Sequence, residues 1–285
     1  MKKILYFGTP EFSAYILEKL VEFCKLDKKF IVQTVITRAD KPFGRNQTLH
    51  ESPVAMVAKK HKIPVLKPIK LSDEEFLTLN SPLLTCDLII VASYGKIIPQ
   101  ILLDIPKLGS LNVHPSLLPK YRGPSPILTP ILNGDSETGV TIMLMDAEMD
   151  HGPLLNTTKI GISDQDNHLT LTTKLAHVAA PLLIETMIQF VEGNIKPKPQ
   201  NHDKATFCKM TKKEDSYFDI TNPPSPKVLD KMIRAYFPWP IVWTLWNNKI
   251  VKFYPEGKIQ MEGKKIMSIR DFLNGYPDFP LKYGI

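Results

Sequence analysis

The sequence predicts an α/β protein, a mainly parallel sheet with helices on both faces, followed by a small basic domain. Three observations carry this reading. Apolar runs at residues 4–7, 30–37 and 88–92 have the length and the β-branched and aromatic content of buried strands. Helical patterns at 11–24 and 52–61 fall between the first two strands and after the second, and strand–helix alternation builds a parallel sheet. The charge is uneven: residues 204–285 hold 14 Lys+Arg against 8 Asp+Glu, which is +6 of the chain's net +7.

In chain order, the first strand runs into Gly8-Thr9-Pro10-Glu11-Phe12. This turn lacks the GxGxxG fingerprint and puts a carboxylate where a pyrophosphate would sit, so a dinucleotide is disfavoured. Residues 38–51 are polar and punctuated by Gly and Pro, too long for a tight turn, and read as a mobile functional loop. Residues 111–114 alternate like a short strand that Pro115 ends, and residues 140–145 read as a second buried strand. A long amphipathic helix covers 169–191, and Gly193-Asn194-Ile195-Lys196-Pro197-Lys198-Pro199-Gln200 reads as extended linker. The expected organisation is therefore 1–192, a linker at 193–203, and a second domain at 204–285.

Composition bounds the class. With 285 residues and 43% hydrophobic content a sizeable core is available and general disorder is excluded. Cys24, Cys86 and Cys208 are odd in number and far apart, which predicts reduced thiols in a cytoplasmic protein rather than a disulfide frame. The apolar run after Met1-Lys2-Lys3 is too brief for a signal peptide, and no uninterrupted 18-residue apolar stretch offers a membrane span.

The chemistry concentrates in residues 109–153. Asn112 and His114, two apart on a strand, project from one face. The strand at 140–145 leads to Asp146, Glu148 and Asp150, with Gly152-Pro153 marking a loop. An amide, an imidazole and a carboxylate converging there would suit acyl transfer to an amine without a covalent enzyme intermediate. Asn112 would donate to the developing oxyanion. His114 would handle a proton, and Asp150 would orient the imidazole and help an amine lose its proton. The plainer reading is a turn-stabilising Asn-x-His pair and solvated loop carboxylates. A calcium loop is disfavoured because Gly152 falls at its seventh place and Thr157 at its twelfth, where a Glu is required. No HExxH or Cys-pair spacing supports zinc, and no metal site is expected.

These segments carry a resemblance. LNVHPSLLPKYRGPSP followed by NGDSETGVTIMLMDAEMDHGP is similar to the folate-dependent formyltransferases, most of all to the branch that formylates initiator methionyl-tRNA for translation initiation. The similarity extends to ILYFGTPEFSAYILEKL, to TRADKPFGRNQTLHESPVAMVAKKHKIPVLKP, and near the end to KMIRAYFPWPIVWT and EGKKIMSIRDFLNGY. It implies a Rossmann-like catalytic domain followed by an OB-like barrel. It also implies Asn112, His114 and Asp150 as the catalytic three, and 10-formyltetrahydrofolate as the formyl donor. Ser116, Leu117, Leu118 and Pro119 would form its folate-binding turn, with Lys96, Ile97 and Ile98 as the edge on which the pterin lies. Arg45, with Lys41 nearby, would meet the acceptor stem of the tRNA. The residues after Arg45 are Asn46, Gln47 and Thr48 where the family often has basic ones.

In the second domain, Lys212, Lys213, Lys231 and Arg234 stand in a basic sequence interleaved with Tyr236, Trp239, Trp243 and Trp246. That composition suits phosphate contacts and stacking on RNA, though small soluble domains also carry basic surfaces and buried Trp. The stretch from Trp246 to Met261 is short for the usual run of strands and predicts an abridged barrel. The expected partners are initiator methionyl-tRNA and a reduced folate, with a monomeric protein. An amino sugar or another small amine is the alternative acceptor, because substrate choice lies in the site rather than the fold.

Overall fold

The computed structural model describes residues 1–43 and 48–281. They form two compact units that interleave in sequence. The first gathers Met1–Arg122, Gly139–Lys159 and Thr173–Phe207, and the second gathers Gly123–Thr138, Ile160–Thr172 and the described residues from Cys208 onward.

The first unit is built on β1 (Lys2–Gly8), α1 (Glu11–Asp27), β2 (Phe30–Ile36), the short strands β3 (Lys41–Phe43) and β4 (Thr48–His50), and α2 (Pro53–Lys60). There follow β5 (Val65–Leu66), α3 (Glu74–Leu79), α4 (Ser81–Leu84), β6 (Leu88–Ala92), α5 (Gln100–Leu103) and β7 (Ser110–His114). The strands β8 (Glu137–Leu144) and β9 (Leu154–Gly161) and the helix α7 (His168–Val191) continue across the unit boundary. Seven strands make one sheet in the order β5-β2-β1-β6-β7-β8-β9. Pairing is parallel from β5 through β7 and antiparallel between β7 and β8.

Ile4, Leu5, Tyr6 and Phe7 are all buried, as are all five residues of β6. A strand covered on both faces needs a continuous apolar run rather than an alternating one. α1 buries Phe12, Ile16, Leu17, Leu20, Val21 and Cys24, one stripe of a 3.6-residue repeat. It runs three residues beyond the expected end and stops at Lys28, whose left-handed backbone donates to the Cys24 carbonyl. α2 begins where Ser52 accepts from the Ala55 amide with Pro53 in the first turn. The Cys24 and Cys86 thiols are buried, which pushes each up to about 12.

Strand order reverses between β1 and β6, the place where open α/β sheets bind ligands outside their carboxyl ends. There the Thr9 hydroxyl donates to the Tyr94 carbonyl at 3.0 Å, tying the loop after β1 to the loop after β6. The 38–51 segment, expected as irregular loop, contains the β3–β4 hairpin, with Lys41 opposite His50. The segment read as linker also has a partner within this unit: Lys198 exchanges two backbone hydrogen bonds with Leu154, at 2.7 and 2.8 Å. α7 is long and apolar enough to cross a bilayer by length and composition, but Lys174 and Glu185 interrupt it. Its Leu175, Ala179, Leu183 and Met187 are buried at a four-residue spacing, as in a core helix.

The second unit contains α6 (Leu128–Asn133), α8 (Pro226–Ala235), the strands β10 (Val242–Trp246), β11 (Lys249–Tyr254), β12 (Lys258–Met261) and β13 (Met267–Ser268), and α9 (Ile269–Gly275). The four strands pair antiparallel in sequence order, a small sheet in keeping with the abridged barrel. Two of them, β11 and β12, fit between Trp246 and Met261 because the turns are tight. Asn247 and Asn248 both take positive φ, 48° and 58°, the two-residue hairpin geometry that Asn tolerates, and three residues join β11 to β12. Trp246 lies 5.2 to 6.5 Å, ring centre to ring centre, from Phe272, Tyr276 and Phe279. Those aromatic side chains form the unit's core with Phe253.

Candidate active site

β7 mounts the first two groups. Asn112 and His114 lie on it two residues apart, and Pro115 ends the strand. Asp150 arrives from the connection between β8 and β9, which turns back toward β7. Its backbone sits at φ 51°, and two residues on Gly152 comes so close to β8 that a Cβ there would lie 2.0 Å from the Leu144 carbonyl oxygen. A left-handed residue and an obligatory glycine form the turn that delivers the carboxylate.

The three groups meet on one oxygen. The Asn112 amide donates to Asp150 Oδ1 at 3.2 Å, and His114 Nδ1 faces the same oxygen at 3.4 Å. His114 is 4% exposed, and its Nε2 lies 3.0 Å from the Tyr121 carbonyl oxygen. A carbonyl only accepts, so Nε2 carries the proton in that bond. Proton traffic at the imidazole is thereby directed to Nδ1, on the Asp150 side. Asn112 is partly exposed and has a second amide hydrogen to offer a reacting oxygen.

Ser116, Leu117, Leu118 and Pro119 follow directly. Ser116 is fully buried and its hydroxyl donates to the Lys120 carbonyl at 2.6 Å, so this side chain shapes its own turn. Thr141 on β8 fixes the turn from the other side: its hydroxyl donates to the Ser116 carbonyl at 2.7 Å and accepts from the Leu118 amide at 3.2 Å. Across β6, Lys96 donates to the carbonyls of Pro68 and Ile69, at 3.1 and 2.7 Å. Ile98 is buried while Ile97 is 92% exposed. This edge belongs to no strand or helix, so its peptide groups are not committed to a ladder. An anchored apolar shelf with peptide groups beside it fits a flat heterocycle bearing donors and acceptors. Nearby Tyr94 is buried, and among the described residues its hydroxyl has no hydrogen-bond partner; burial pushes it up to about 12 while Arg38 opposes the shift.

The remaining expected residues lie apart from this cluster. Arg45 falls outside the described residues, and Lys41 lies in β3. In the second unit Lys212 and Lys213 are exposed, and Lys213 Nζ lies 5.6 Å from the Trp243 ring centre. Lys231 lies against Gly134. Arg234 is turned inward, its side chain 12% exposed, donating to Asp230 Oδ2 and to the Asp166 carbonyl, each at 2.9 Å. Sequence reading missed Thr141, Tyr121 and Gln200, which hold the site through buried hydrogen bonds. Thr141 had the faint signal of a polar residue inside an apolar strand, whereas Tyr121 and Gln200 sit in polar, Pro- and Lys-containing sequence that marked neither.

The chain is similar to known proteins along most of its length. The family model described as formyl transferase matches residues 2–187. The methionyl-tRNA formyltransferase of Chloroflexus aurantiacus is 38% identical over 264 residues, covering 93% of this chain and 83% of that protein. The one from Staphylococcus epidermidis is 36% identical over 312 residues and covers 96% of each. Among solved structures, a sugar N-formyltransferase from a Shewanella species superposes with a TM-score of 0.68 over 93% of this chain and 100% of that one, a likeness of fold at 17% identity.

Proposed function

The chain belongs to the formyl transferase family, and from that membership we propose that it moves a formyl group from 10-formyltetrahydrofolate to the free α-amine of methionine esterified to initiator tRNA. The observation that carries the chemistry is the meeting of Asn112, His114 and Asp150 on one carboxylate oxygen. Relatives carrying the methionyl-tRNA formyltransferase name over nine-tenths of this chain support the acceptor. The folate supplies an activated formyl group, and the enzyme needs no nucleophile of its own.

Asn112 donates its second amide hydrogen to the oxygen that gains charge as the formyl carbon becomes tetrahedral, often the largest single catalytic contribution. Asp150 Oδ1 and His114 Nδ1, which faces the same oxygen, would take the proton shed by the attacking amine and return it to the folate N10 as its bond to the formyl carbon breaks, releasing tetrahydrofolate. The amine must attack neutral, so transfer weakens as pH falls below the ordinary α-amino range. Ser116, Leu117, Leu118 and Pro119, with the edge at Lys96, Ile97 and Ile98, would hold the reduced folate. Arg45, Lys41, Lys212, Lys213 and Lys231 would meet tRNA phosphates, with the protein working as a cytoplasmic monomer. Arg234, bonded within its own unit, would support that surface rather than face the nucleic acid. In the domain division proposed, residues 1–192 catalyse, 193–203 link and 204–285 bind tRNA.

Incubating the purified chain with charged initiator tRNA, with and without 10-formyltetrahydrofolate, tests this reading. Folate-dependent appearance of formylmethionine on the tRNA is expected, and its absence with active, folded protein would overturn it.

A further inference from the structure

A buried carboxamide 50 residues away in sequence from Asp150 holds the turn that presents it. Gln200 is 5% exposed, and its amide nitrogen donates to two carbonyls of that turn, Asp150 at 2.9 Å and Gly152 at 2.7 Å. Its side-chain oxygen accepts twice from buried Arg122, from Nε at 3.2 Å and Nη2 at 2.6 Å. All four hydrogen-bonding positions of the carboxamide are thereby filled. Arg122 Nη2 also donates to His202 Nδ1 at 2.9 Å, which assigns that histidine's proton to Nε2.

The same stretch braces the other side of the site. The Arg122 amide donates to the Thr206 carbonyl, and the Tyr121 amide to the Thr206 hydroxyl, each at 2.9 Å. Tyr121 is the residue whose carbonyl holds His114 Nε2, and its backbone is left-handed at φ 62°. One short segment, residues 200–206, which straddles the expected end of the linker at 203, therefore grips both turns on which the catalytic pair depends. Two left-handed residues, Asp150 and Tyr121, need such bracing, because a non-glycine residue in that region persists only where its surroundings over-determine it.

We propose that Gln200 is a positioning residue for formyl transfer: through its two N–H donors it fixes the Asp150 turn so that Oδ1 stays between Asn112 and His114. This rests on the function proposed above. It differs from a packing role, because it depends on the donors and not on the bulk of the side chain.

Gln200→Glu separates the two. It keeps the volume and the acceptor for Arg122 but replaces the nitrogen that carries both donors by one oxygen facing the Asp150 and Gly152 carbonyls. The expected result is a fall in kcat of at least tenfold, with KM for folate and for charged tRNA within threefold and the protein still folded at the assay temperature by circular dichroism. A kcat within twofold of the parent, or a loss expressed wholly in KM, would overturn the proposal. Nitrogen-15 NMR of His114 reads the same geometry without turnover: its ring signals should move in Gln200→Glu, and unchanged signals would also overturn it. If the parent protein formylates no charged tRNA, the functional reading fails while the NMR comparison still decides the positioning role. Gln200→Ala supplies a second variant, expected to lose both kcat and thermal stability.

Discussion

The Asn112 amide donates to Asp150 Oδ1 at 3.2 Å, so the residue meant to stabilise negative charge is itself oriented by a carboxylate. That bond fixes which end of the amide faces the proposed reacting centre, and it places the proposed oxyanion donor and proton acceptor side by side. Replacing Asn112 by Ala, or Asp150 by Asn, should lower single-turnover transfer at least about a hundredfold, since a lost oxyanion donor or proton acceptor costs on the order of 3 kcal/mol of barrier. Circular dichroism should show both variants folded. Transfer near the parent rate in either would remove that group from the mechanism.

Thr141 gives a test of the turn proposed to hold the folate. Its hydroxyl bonds both the Ser116 carbonyl and the Leu118 amide inside the protein. Thr141→Val keeps the shape and leaves two buried groups unpaired, at a cost of about 1–3 kcal/mol each. Calorimetry with a stable reduced-folate analogue should show affinity weakened at least about tenfold, with charged-tRNA affinity unchanged. Equal folate affinity in the two proteins would detach this turn from the cofactor.

Much of the first unit was legible because burial on both faces writes long apolar runs into the sequence, as at Ile4, Leu5, Tyr6 and Phe7. The alternation around Asn112 and His114 likewise announced a strand end. Less local features were hidden. The β3–β4 hairpin lies in a segment whose Gly and Pro read as loop. Thr141 sits inside an apolar run, where nothing marks its two hydrogen bonds. Gln200 follows a Pro- and Lys-rich stretch that reads as solvated linker, yet it is buried, because its partners come from residues 122 and 150–152. Nor did charge predict direction: Lys231 and Arg234 stand three apart on α8, but the guanidinium is bonded inward.

That inward turn separates stability from the RNA contact proposed for the second unit. Arg234→Ala should lower Tm through loss of its bonds to Asp230 and the Asp166 carbonyl, while tRNA affinity changes little. Charge reversal at exposed Lys212 and Lys213 should do the opposite, weakening tRNA binding and flattening its salt dependence by about two phosphate contacts. Filter binding across a salt series checks both, and an unchanged slope in the double reversal would exclude these lysines from the interface.

His168 predicts a pH effect on stability. Burial holds its pKa below the ordinary histidine value of about 6.5, so between the folded value and the ordinary one the unfolded chain binds the proton more readily. Its contribution is intact above that window and is lost as pH falls through it. Thermal melts at pH 7.5 and 5.5 should therefore differ less in His168→Gln than in the parent. An equal difference would show that another group carries the acid sensitivity.

The acceptor is the central claim, and a competition measures it most directly. The purified chain, given 10-formyltetrahydrofolate, charged initiator methionyl-tRNA and a panel of nucleotide-linked amino sugars, should formylate the tRNA with kcat/KM at least about a thousandfold above any sugar, a gap of some 4 kcal/mol in transition-state binding. Efficient formylation of an amino sugar with the charged tRNA left unmodified would contradict the account.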